Sequence, residues 1–374
     1  MTGAATSAPG RWRDLLGPKY LGASTVLAGG VALYATNEFL TISLMPSAVA
    51  DIGGQRWYAW VTTVYLVASV VAATTVHSTL MRLGPRSSYL LALSVFGAGS
   101  VACAAAPTME LLLVGRTVQG LAGGLLAGLG YAVINTALPT WLWTKASALV
   151  SAMWGVGTLL GPAAGGLFSQ FGSWRWAFGA LALLTAAIGV LVPLALSARR
   201  VADGDVATTP VPVWSLMLLG VAALAVSAAG VPEDVRLTAA LLGSGVVLVA
   251  AFLFVDRRIA AGVLPPSAFG RGPLKWIYLT LGVLMAATMA DMYVPLFGQR
   301  LAGLTPVAAG FLGAGLAVGW TVGEIGSASM ANARTIRWTV AVAPAVMAAG
   351  LALAAAMRRS TNRNAATRTT PEPS

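Results

Sequence analysis

The sequence has little charge, one cysteine and one histidine. Charged residues make up 9% of the 374 positions, where a soluble domain carries roughly 25%, so water cannot be the solvent for most of its surface. The lone Cys103 excludes a disulfide framework, and with only His77 beside it a structural zinc site is excluded as well. No cluster of His, Asp and Glu supports metal-dependent hydrolysis. We therefore expect no metal, no cofactor and no enzymatic activity.

Long apolar runs are abundant instead, and hydrophobic residues make up 57% of the chain. A hydrocarbon core about 30 Å thick needs about 20 apolar residues per helix. Eight charge-free runs meet this length: Ser87–Met109, Thr117–Thr144, Ala146–Trp174, Trp176–Ala198, Val206–Pro232, Leu237–Val255, Leu301–Gly323 and Trp338–Met357. Three more contain one ionisable residue each: Gly22–Met45 with Glu38, Tyr58–Leu80 with His77, and Trp276–Gly298 with Asp291. We predict an all-α integral membrane protein with about eleven transmembrane helices.

The net charge of +11 does not indicate a nucleic-acid partner, because the basic residues lie in short loops and not on a folded soluble face. Short cytoplasmic loops accumulate Lys and Arg. With the N-terminus in the cytoplasm, the inner segments hold fourteen basic residues and the outer loops hold four. Arginine outnumbers lysine twenty to three, which is typical of a GC-rich bacterial gene. We predict a multi-pass protein of the bacterial inner membrane with a cytoplasmic N-terminus. With an odd number of helices, however, the basic tail after Met357 would lie outside the cell, where positive charge is not expected to accumulate.

The fifth predicted span contains glycines four residues apart along one helical face. Its sequence is Gly157-Thr-Leu-Leu-Gly161-Pro162-Ala-Ala-Gly165-Gly166. Small residues at this spacing allow a neighbouring backbone to approach closely. The glycines alone would also fit ordinary helix packing, as in any membrane protein, and that alternative remains open. The whole pattern, followed by Trp-Arg-Trp-Ala-Phe at 174–178, resembles the antiporter motif in the fifth helix of major facilitator superfamily exporters.

Two further segments are similar to elements of that family. Arg116-Thr-Val-Gln119-Gly120 resembles its intramembrane Arg-x-x-Gln-Gly element. The first span ends in a segment similar to one in drug:proton antiporters that usually starts with Asp and closes on Leu-Pro. This chain has Asn37 at that start and a carboxylate one residue later, at Glu38, which is about 100° around a helix. The resemblance implies that these residues lie beside the central cavity and take part in proton coupling.

The loop expected after the second span resembles the family's cytoplasmic gate loop in part. Arg82, Gly84 and Arg86 match the family pattern, whereas Met81 replaces its aspartate. The charge pairing that closes the gate in relatives is therefore in doubt here. His77 fits an interfacial position better than a proton relay.

The order of segments resembles the fourteen-span branch of drug:proton antiporters, with the last three helices of the second bundle missing. It predicts the following division of the chain: 1–21 cytoplasmic N-terminus, 22–196 first six-helix bundle, 197–212 cytoplasmic linker, 213–255 additional helix pair, 256–275 second linker, 276–357 three helices of a second bundle, and 358–374 disordered tail.

The resemblance implies proton-coupled export of small amphipathic compounds by alternating access. The expected partners are the lipid bilayer, an amphipathic substrate and protons. A truncated remnant without transport activity, or a membrane protein that acts by interaction, is the alternative.

The deepest charges in the predicted spans are Glu38, Arg116 and Asp291. An ionisable group near the bilayer centre costs about 2.5 to 3.5 kcal/mol, so it is expected to face a cavity or a partner. At 1.5 Å per residue the three lie at similar depth, in the outer half of the core. We expect them to meet around the cavity, where movement of the arginine could drive proton uptake and release. A static ion pair or an interfacial position is the alternative.

Overall fold

A computed structural model describes residues 11–198, 212–230, 234–259, 262–270, 272–288 and 293–312, together with 315, 319, 332, 334, 335 and 337–350. Within these residues all regular secondary structure is helical. The α-helices are α1 Trp12–Leu15, α2 Leu21–Ile52, α3 Tyr58–Ala73, α4 Val76–Ala104, α5 Met109–Ala132, α6 Ile134–Ala137, α7 Trp143–Phe171, α8 Trp174–Ala195, α9 Val213–Ala228, α10 Val235–Asp256, α11 Leu274–Thr288 and α12 Val294–Ala302. Residues 306–312 and 337–350 are helical as well.

The predicted all-α architecture is confirmed, and each of the first eight predicted spans contains a long helix. Five helices are long and apolar enough to cross a membrane: Val76–Ala104, Met109–Ala132, Thr140–Phe171, Trp174–Ala195 and Val235–Asp256. Val213–Ala228 and Leu274–Leu284 are apolar but shorter. The 32-residue α2 is not among the five, since Asn37 and Glu38 lower its mean hydropathy.

Three helix boundaries add detail to the predicted spans. The predicted loop at 81–86 contains a sharp turn between the two helical parts of α4, at Gly84, which has φ 76° and ψ 170°, a left-handed φ that only glycine adopts readily. The Ser88 hydroxyl donates back to the Thr79 carbonyl oxygen (3.2 Å), whereas nine residues of straight helix would span about 13 Å, so the chain reverses there. Helix α5 begins at Met109, because the Thr108 hydroxyl accepts a hydrogen bond from the Leu111 N–H (3.4 Å) and caps it. In the ninth predicted span the structure describes α11 and α12, and residues 289–292 lie outside the described ranges.

Glycines set the closest helix contacts around α5. A Cβ at Gly120 or Gly124 would collide with the α3 carbonyl oxygens of Tyr65 or Ser69. On the other side, a Cβ at Gly115 would lie 3.0 Å from the Cys103 backbone nitrogen of α4. Helices α3, α4 and α5 therefore approach backbone to backbone.

The pair α9 and α10 packs outside this group. The Thr63 and Ser227 hydroxyls, on α3 and α9, form a 2.6 Å hydrogen bond. Helix α10 lies on α9, where Gly245 faces Val226. The central helix α2 remains in contact with α5, α7 and α8, and it carries the polar residues predicted for the site.

Candidate transport site

Arg116 is the most deeply buried charge in the described part of the chain, with no exposed surface. Its Nη1 donates to the Gln119 Oε1 (2.9 Å) and its Nε to the Val61 carbonyl oxygen (3.4 Å). The guanidinium carbon lies 4.0 Å from the centroid of the Tyr65 ring, within the range of a cation–π interaction. Among the described residues, Nη2 has no hydrogen-bond partner. A buried cation with an unpaired donor raises the free energy of the folded state. The hydrogen bonds and the ring contact around Arg116 reduce this cost.

Gln119 connects Arg116 to α4. Its Nε2 donates to the Ser100 hydroxyl (2.9 Å), and that hydroxyl donates to the Phe96 carbonyl oxygen (2.8 Å). The Cys103 thiol contacts the Gln119 Oε1 at 3.5 Å. The family motif predicted Gln119 as a site residue. Ser100 and Cys103 lie in an apolar run of the sequence that contains no motif, so they were not predicted.

Asn37 and Glu38 occupy different environments on α2. Asn37 is fully buried and lies close to the Tyr65 hydroxyl, but neither its amide oxygen nor its nitrogen forms a hydrogen bond of good geometry with a described residue. Glu38 is partly exposed and close enough to Arg116 for electrostatic interaction. Glu38 and Arg116 do not form an ion pair within 4.0 Å. Among the described residues, the one ion pair at that distance joins other side chains. The structure thus brings Glu38, Asn37, Arg116 and Gln119 into one region, while Asp291 lies outside the described residues.

Three aromatic rings adjoin this group and were missed by sequence reasoning. The rings of Tyr34 and Tyr65 stack with centroids 5.6 Å apart and planes inclined by 23°. Trp154 of α7 packs edge-on against Tyr34 at 5.3 Å. The Tyr34 hydroxyl lies 3.1 Å from the Ser69 hydroxyl. The only available signal was that Tyr34 precedes Glu38 by four residues, one helical turn.

The glycine motif of α7 lies against α2, and the predicted close helix crossing is confirmed. A Cβ at Gly157 would lie 2.8 Å from the Thr36 nitrogen, and one at Gly161 would lie 2.8 Å from the Leu40 nitrogen. A Cβ at Gly165 would lie 2.7 Å from the Leu40 carbonyl oxygen. The two backbones are therefore in direct contact along more than two helical turns.

The last part of the motif faces two partners. The Ser43 hydroxyl of α2 donates to the Pro162 carbonyl oxygen (3.2 Å). Gly166 faces residues 306–307 of the later chain, since a Cβ there would lie 2.7 Å from the Val307 Cα. The motif thus joins α2 to the segment that follows α12.

The predicted gate residues lie around the kink of α4. Gly84 is buried, and its carbonyl oxygen accepts from the Ser88 hydroxyl (2.7 Å). Arg82 is exposed and Arg86 is half-buried. Neither arginine forms an ion pair with a described residue, which agrees with the loss of the family's aspartate at Met81. His77 is exposed.

An ion pair that sequence reasoning missed lies at the opposite end of the helices. Asp51, at the end of α2 beyond the predicted span, pairs with Arg175 of α8 and accepts from the Trp174 Nε1 (3.0 Å). Hydrogen bonds from Arg175 and then Trp174 hold the pKa of the Asp51 carboxyl below its usual value. Arg175 also donates to the Ala106 carbonyl oxygen (3.0 Å), so α2, α8 and the segment between α4 and α5 are joined here.

Comparison with known proteins identifies the family of the chain. A family model of the Major Facilitator Superfamily matches residues 27–363. The chain is 66% identical over 357 residues to a "Probable multidrug-efflux transporter" of Mycobacterium tuberculosis, covering 94% of this chain and 76% of that protein. It is 26% identical over 308 residues to "Multidrug resistance protein 3" of Bacillus subtilis, covering 79% and 58%. A solved structure of a D-xylose-proton symporter covers 80% of both chains with 16% identity and a TM-score of 0.46. The family match and the 66% identical relative show that the chain belongs to the major facilitator superfamily.

Proposed function

We propose that this protein is a secondary active transporter of the bacterial inner membrane that exports small amphipathic compounds in exchange for protons. One observation carries the proposal: the partly exposed carboxylate Glu38 follows Tyr34 by one helical turn, and the Tyr34 ring stacks on the Tyr65 ring that contacts the fully buried Arg116. Ionisable residues inside a membrane are costly and mark ion pathways. The pair provides one group that can take up a proton and one fixed charge that responds to it.

The geometry supports a simple coupling step. When Glu38 is ionised, its charge attracts the Arg116 guanidinium. When a proton neutralises Glu38, that attraction is lost and Arg116 retains Gln119 and the Val61 carbonyl oxygen as its partners. Because no ion pair within 4.0 Å holds Glu38 and Arg116 together, either state is accessible without breaking a direct contact. Asp291 is proposed as a second carboxylate of this pathway.

Close packing supports movement of the first bundle as one body. The α2–α7 contact at Gly157, Gly161 and Gly165 leaves no room for side chains. The contacts of Gly120 and Gly124 with α3 are equally close. Such interfaces resist sliding, so we propose that this bundle moves as one body. Alternating access would then occur by rocking of the bundle against the later helices, about the close contact of Gly166 with residues 306–307.

The charge distribution supports a cytoplasmic N-terminus. At the end of the helices that carries the N-terminus, the described basic residues are Arg11, Arg13, Lys19, Arg82, Arg86, Lys145, Arg257, Arg258 and Lys275, against Asp14 and Asp256. At the opposite end they are Arg56, Arg175, Arg236 and Arg300, against Asp51, Glu110 and Asp234. Positive charge accumulates on the cytoplasmic side.

Two observations support the substrate class and the branch. The 66% identical relative is named a multidrug-efflux transporter, and we propose the same broad class of substrate for this chain. Helices α9 and α10 follow the first six long helices and pack on α3. We propose that they are the additional helix pair of the fourteen-span branch.

Reconstitution into proteoliposomes tests the proposal. The wild type, preloaded with ethidium and given an imposed proton gradient, should export the dye, and a protonophore should abolish the export. Glu38→Gln should reduce proton-driven export at least about tenfold, since it removes the titrating group. Glu110→Gln is the matched control, because Glu110 is an exposed carboxylate at the end of α5. Equal export by both variants, or no export by the wild type, would contradict the proposal.

A further inference from the structure

Three aromatic rings and one guanidinium form a continuous column from α7 to α5. Along it, exposure falls from 37% at Trp154 to 6% at Tyr34 and to 0% at Tyr65 and Arg116. The successive separations are 5.3 Å, 5.6 Å and 4.0 Å, measured between ring centroids and, for the last, from the guanidinium carbon to the ring centroid. The exposed edge of the protein is thus connected through direct contacts to its most buried charge.

Each member of the column is held in place. The Tyr65 hydroxyl donates to the Tyr34 carbonyl oxygen (3.3 Å), and the Tyr34 hydroxyl pairs with the Ser69 hydroxyl at 3.1 Å. Gly123 of α5 lies directly behind Tyr34, where a Cβ would be 2.8 Å from its ring. Because the two tyrosines have no free space, displacement of one ring must displace the next.

Trp154 contacts α2 through Tyr34, on the helical face that also carries Glu38. Helix α8 packs on another face of α2, where Cβ atoms at Gly22 and Gly29 would meet Ala195 and Ile188. Glu38 follows Tyr34 by one helical turn and is partly exposed, and an ionisable residue at this depth does not face lipid. Trp154 is eleven residues into α7, roughly 16 Å from its start, near the middle of a core about 30 Å thick.

We propose that Trp154 is a specificity-determining residue for planar aromatic solutes, and that Tyr34 and Tyr65 are positioning residues that link its occupancy to Arg116. This inference rests on the proposed function. A planar ring stacks on the free face of an indole, and a positive charge on the same solute is attracted by Glu38 nearby. Solute bound at Trp154 constrains Tyr34, and through Tyr65 it constrains the guanidinium that interacts with Glu38.

Transport of two cations by matched variants tests the role of Trp154. Ethidium is planar and aromatic, whereas decyltrimethylammonium has the same charge and no ring. Trp154→Leu should raise the KM for ethidium about fivefold to tenfold, the size expected for one aromatic pair. Its kcat, and both constants for decyltrimethylammonium, should stay within about twofold. Trp154→Phe should restore most of the ethidium affinity.

Trp214→Leu is the control, since Trp214 is an exposed tryptophan of α9 outside the column, and its replacement should change the transport of neither substrate. A Trp154→Leu variant that affects both cations equally, or neither, would overturn the inference.

The pH profile tests the tyrosines. Tyr34→Phe keeps the ring and loses only the hydrogen bond to Ser69, so the pH profile of ethidium export should match the wild type. Tyr34→Leu breaks the column and should shift that profile while leaving decyltrimethylammonium binding intact. Identical pH profiles for the two variants would exclude the positioning role.

Equilibrium binding separates this inference from the proposed function. If the wild type shows no proton-driven export of either cation, the proposed function fails, and ethidium binding to the purified protein still tests Trp154. Weaker ethidium binding by Trp154→Leu than by Trp214→Leu then supports the assignment. Equal binding by the two variants refutes it.

Discussion

The sharpest prediction concerns Gly161, at the centre of the α2–α7 contact. In Gly161→Ala the new Cβ would lie 2.7 Å from the Phe39 Cβ, 2.8 Å from the Leu40 nitrogen and 3.0 Å from the Thr36 carbonyl oxygen. Carbon atoms in contact are normally about 3.5 to 4.0 Å apart. Two of the three obstructing atoms belong to the α2 backbone, so the helices must separate by roughly 1 Å. Overpacking of this kind costs about 1 to 3 kcal/mol.

Helix propensity acts in the opposite direction, because alanine is better than glycine in a helix interior by about 1 kcal/mol. Gly189→Ala in α8 isolates this term, since a Cβ there would meet nothing within 4 Å. We expect the free energy of unfolding, measured in mixed micelles, to be about 1 to 3 kcal/mol lower for Gly161→Ala than for Gly189→Ala. The larger Gly161→Leu should abolish transport. Equal stability of the two alanine variants would refute the close crossing.

Three further predictions address the ends of the helices and the buried network. Because the pKa of Asp51 is held below its usual value, its pairing with Arg175 stabilises the fold above about pH 4 and is lost as the pH falls below that range. Asp51→Asn should therefore make the acid-induced loss of thermal stability smaller, and only slightly so, because the pair is largely exposed to solvent. A cytoplasmic N-terminus predicts that Ser197→Cys, in a Cys103→Ser background, reacts with a membrane-impermeant maleimide only in inverted vesicles. Asp234→Cys, at the opposite end of the helices, should react in intact cells. Labelling of Ser197→Cys from outside would contradict a cytoplasmic N-terminus. Gln119→Leu should reduce the free energy of unfolding by about 1 to 3 kcal/mol, because Arg116 and Ser100 lose a buried partner, while the exposed Gln170→Leu on α7 should have little effect.

The helical type of the main elements, and the positions of the first eight spans, could be predicted because a chain in lipid must satisfy its backbone hydrogen bonds within each span. The helix ends were less predictable. The charge-free run began at Thr117, whereas α5 begins at Met109, where the Thr108 hydroxyl caps it. Arg116 therefore lies inside the helix, in line with its place in the fourth predicted span. The loop predicted at 81–86 contains the turn, but the sequence could not show that Gly84 alone, with its left-handed φ, redirects the chain there.

The candidate site was predictable where it depends on charge and glycine spacing. The spacing of Gly161 and Gly165 indicated a close crossing but could not identify α2 as the partner. The one-residue shift from Asn37 to Glu38 placed the two side chains on different faces of the helix, and in the structure Asn37 is buried whereas Glu38 is partly exposed. The aromatic column was not predictable, because tyrosine and tryptophan in apolar runs carry no distinguishing pattern. The same holds for Asp51 and Arg175, which are 124 residues apart.

The measurement that tests the proposed coupling most directly is proton movement caused by substrate alone. Proteoliposomes containing a trapped pH indicator and no imposed gradient receive ethidium, and the proton flux is followed for the wild type, Glu38→Gln, Asp291→Asn and Glu110→Gln. If Glu38 carries the exchanged proton, the wild type and Glu110→Gln should show a substrate-dependent proton flux and Glu38→Gln should show none. An unchanged flux in both Glu38→Gln and Asp291→Asn would mean that neither carboxylate carries the coupling proton.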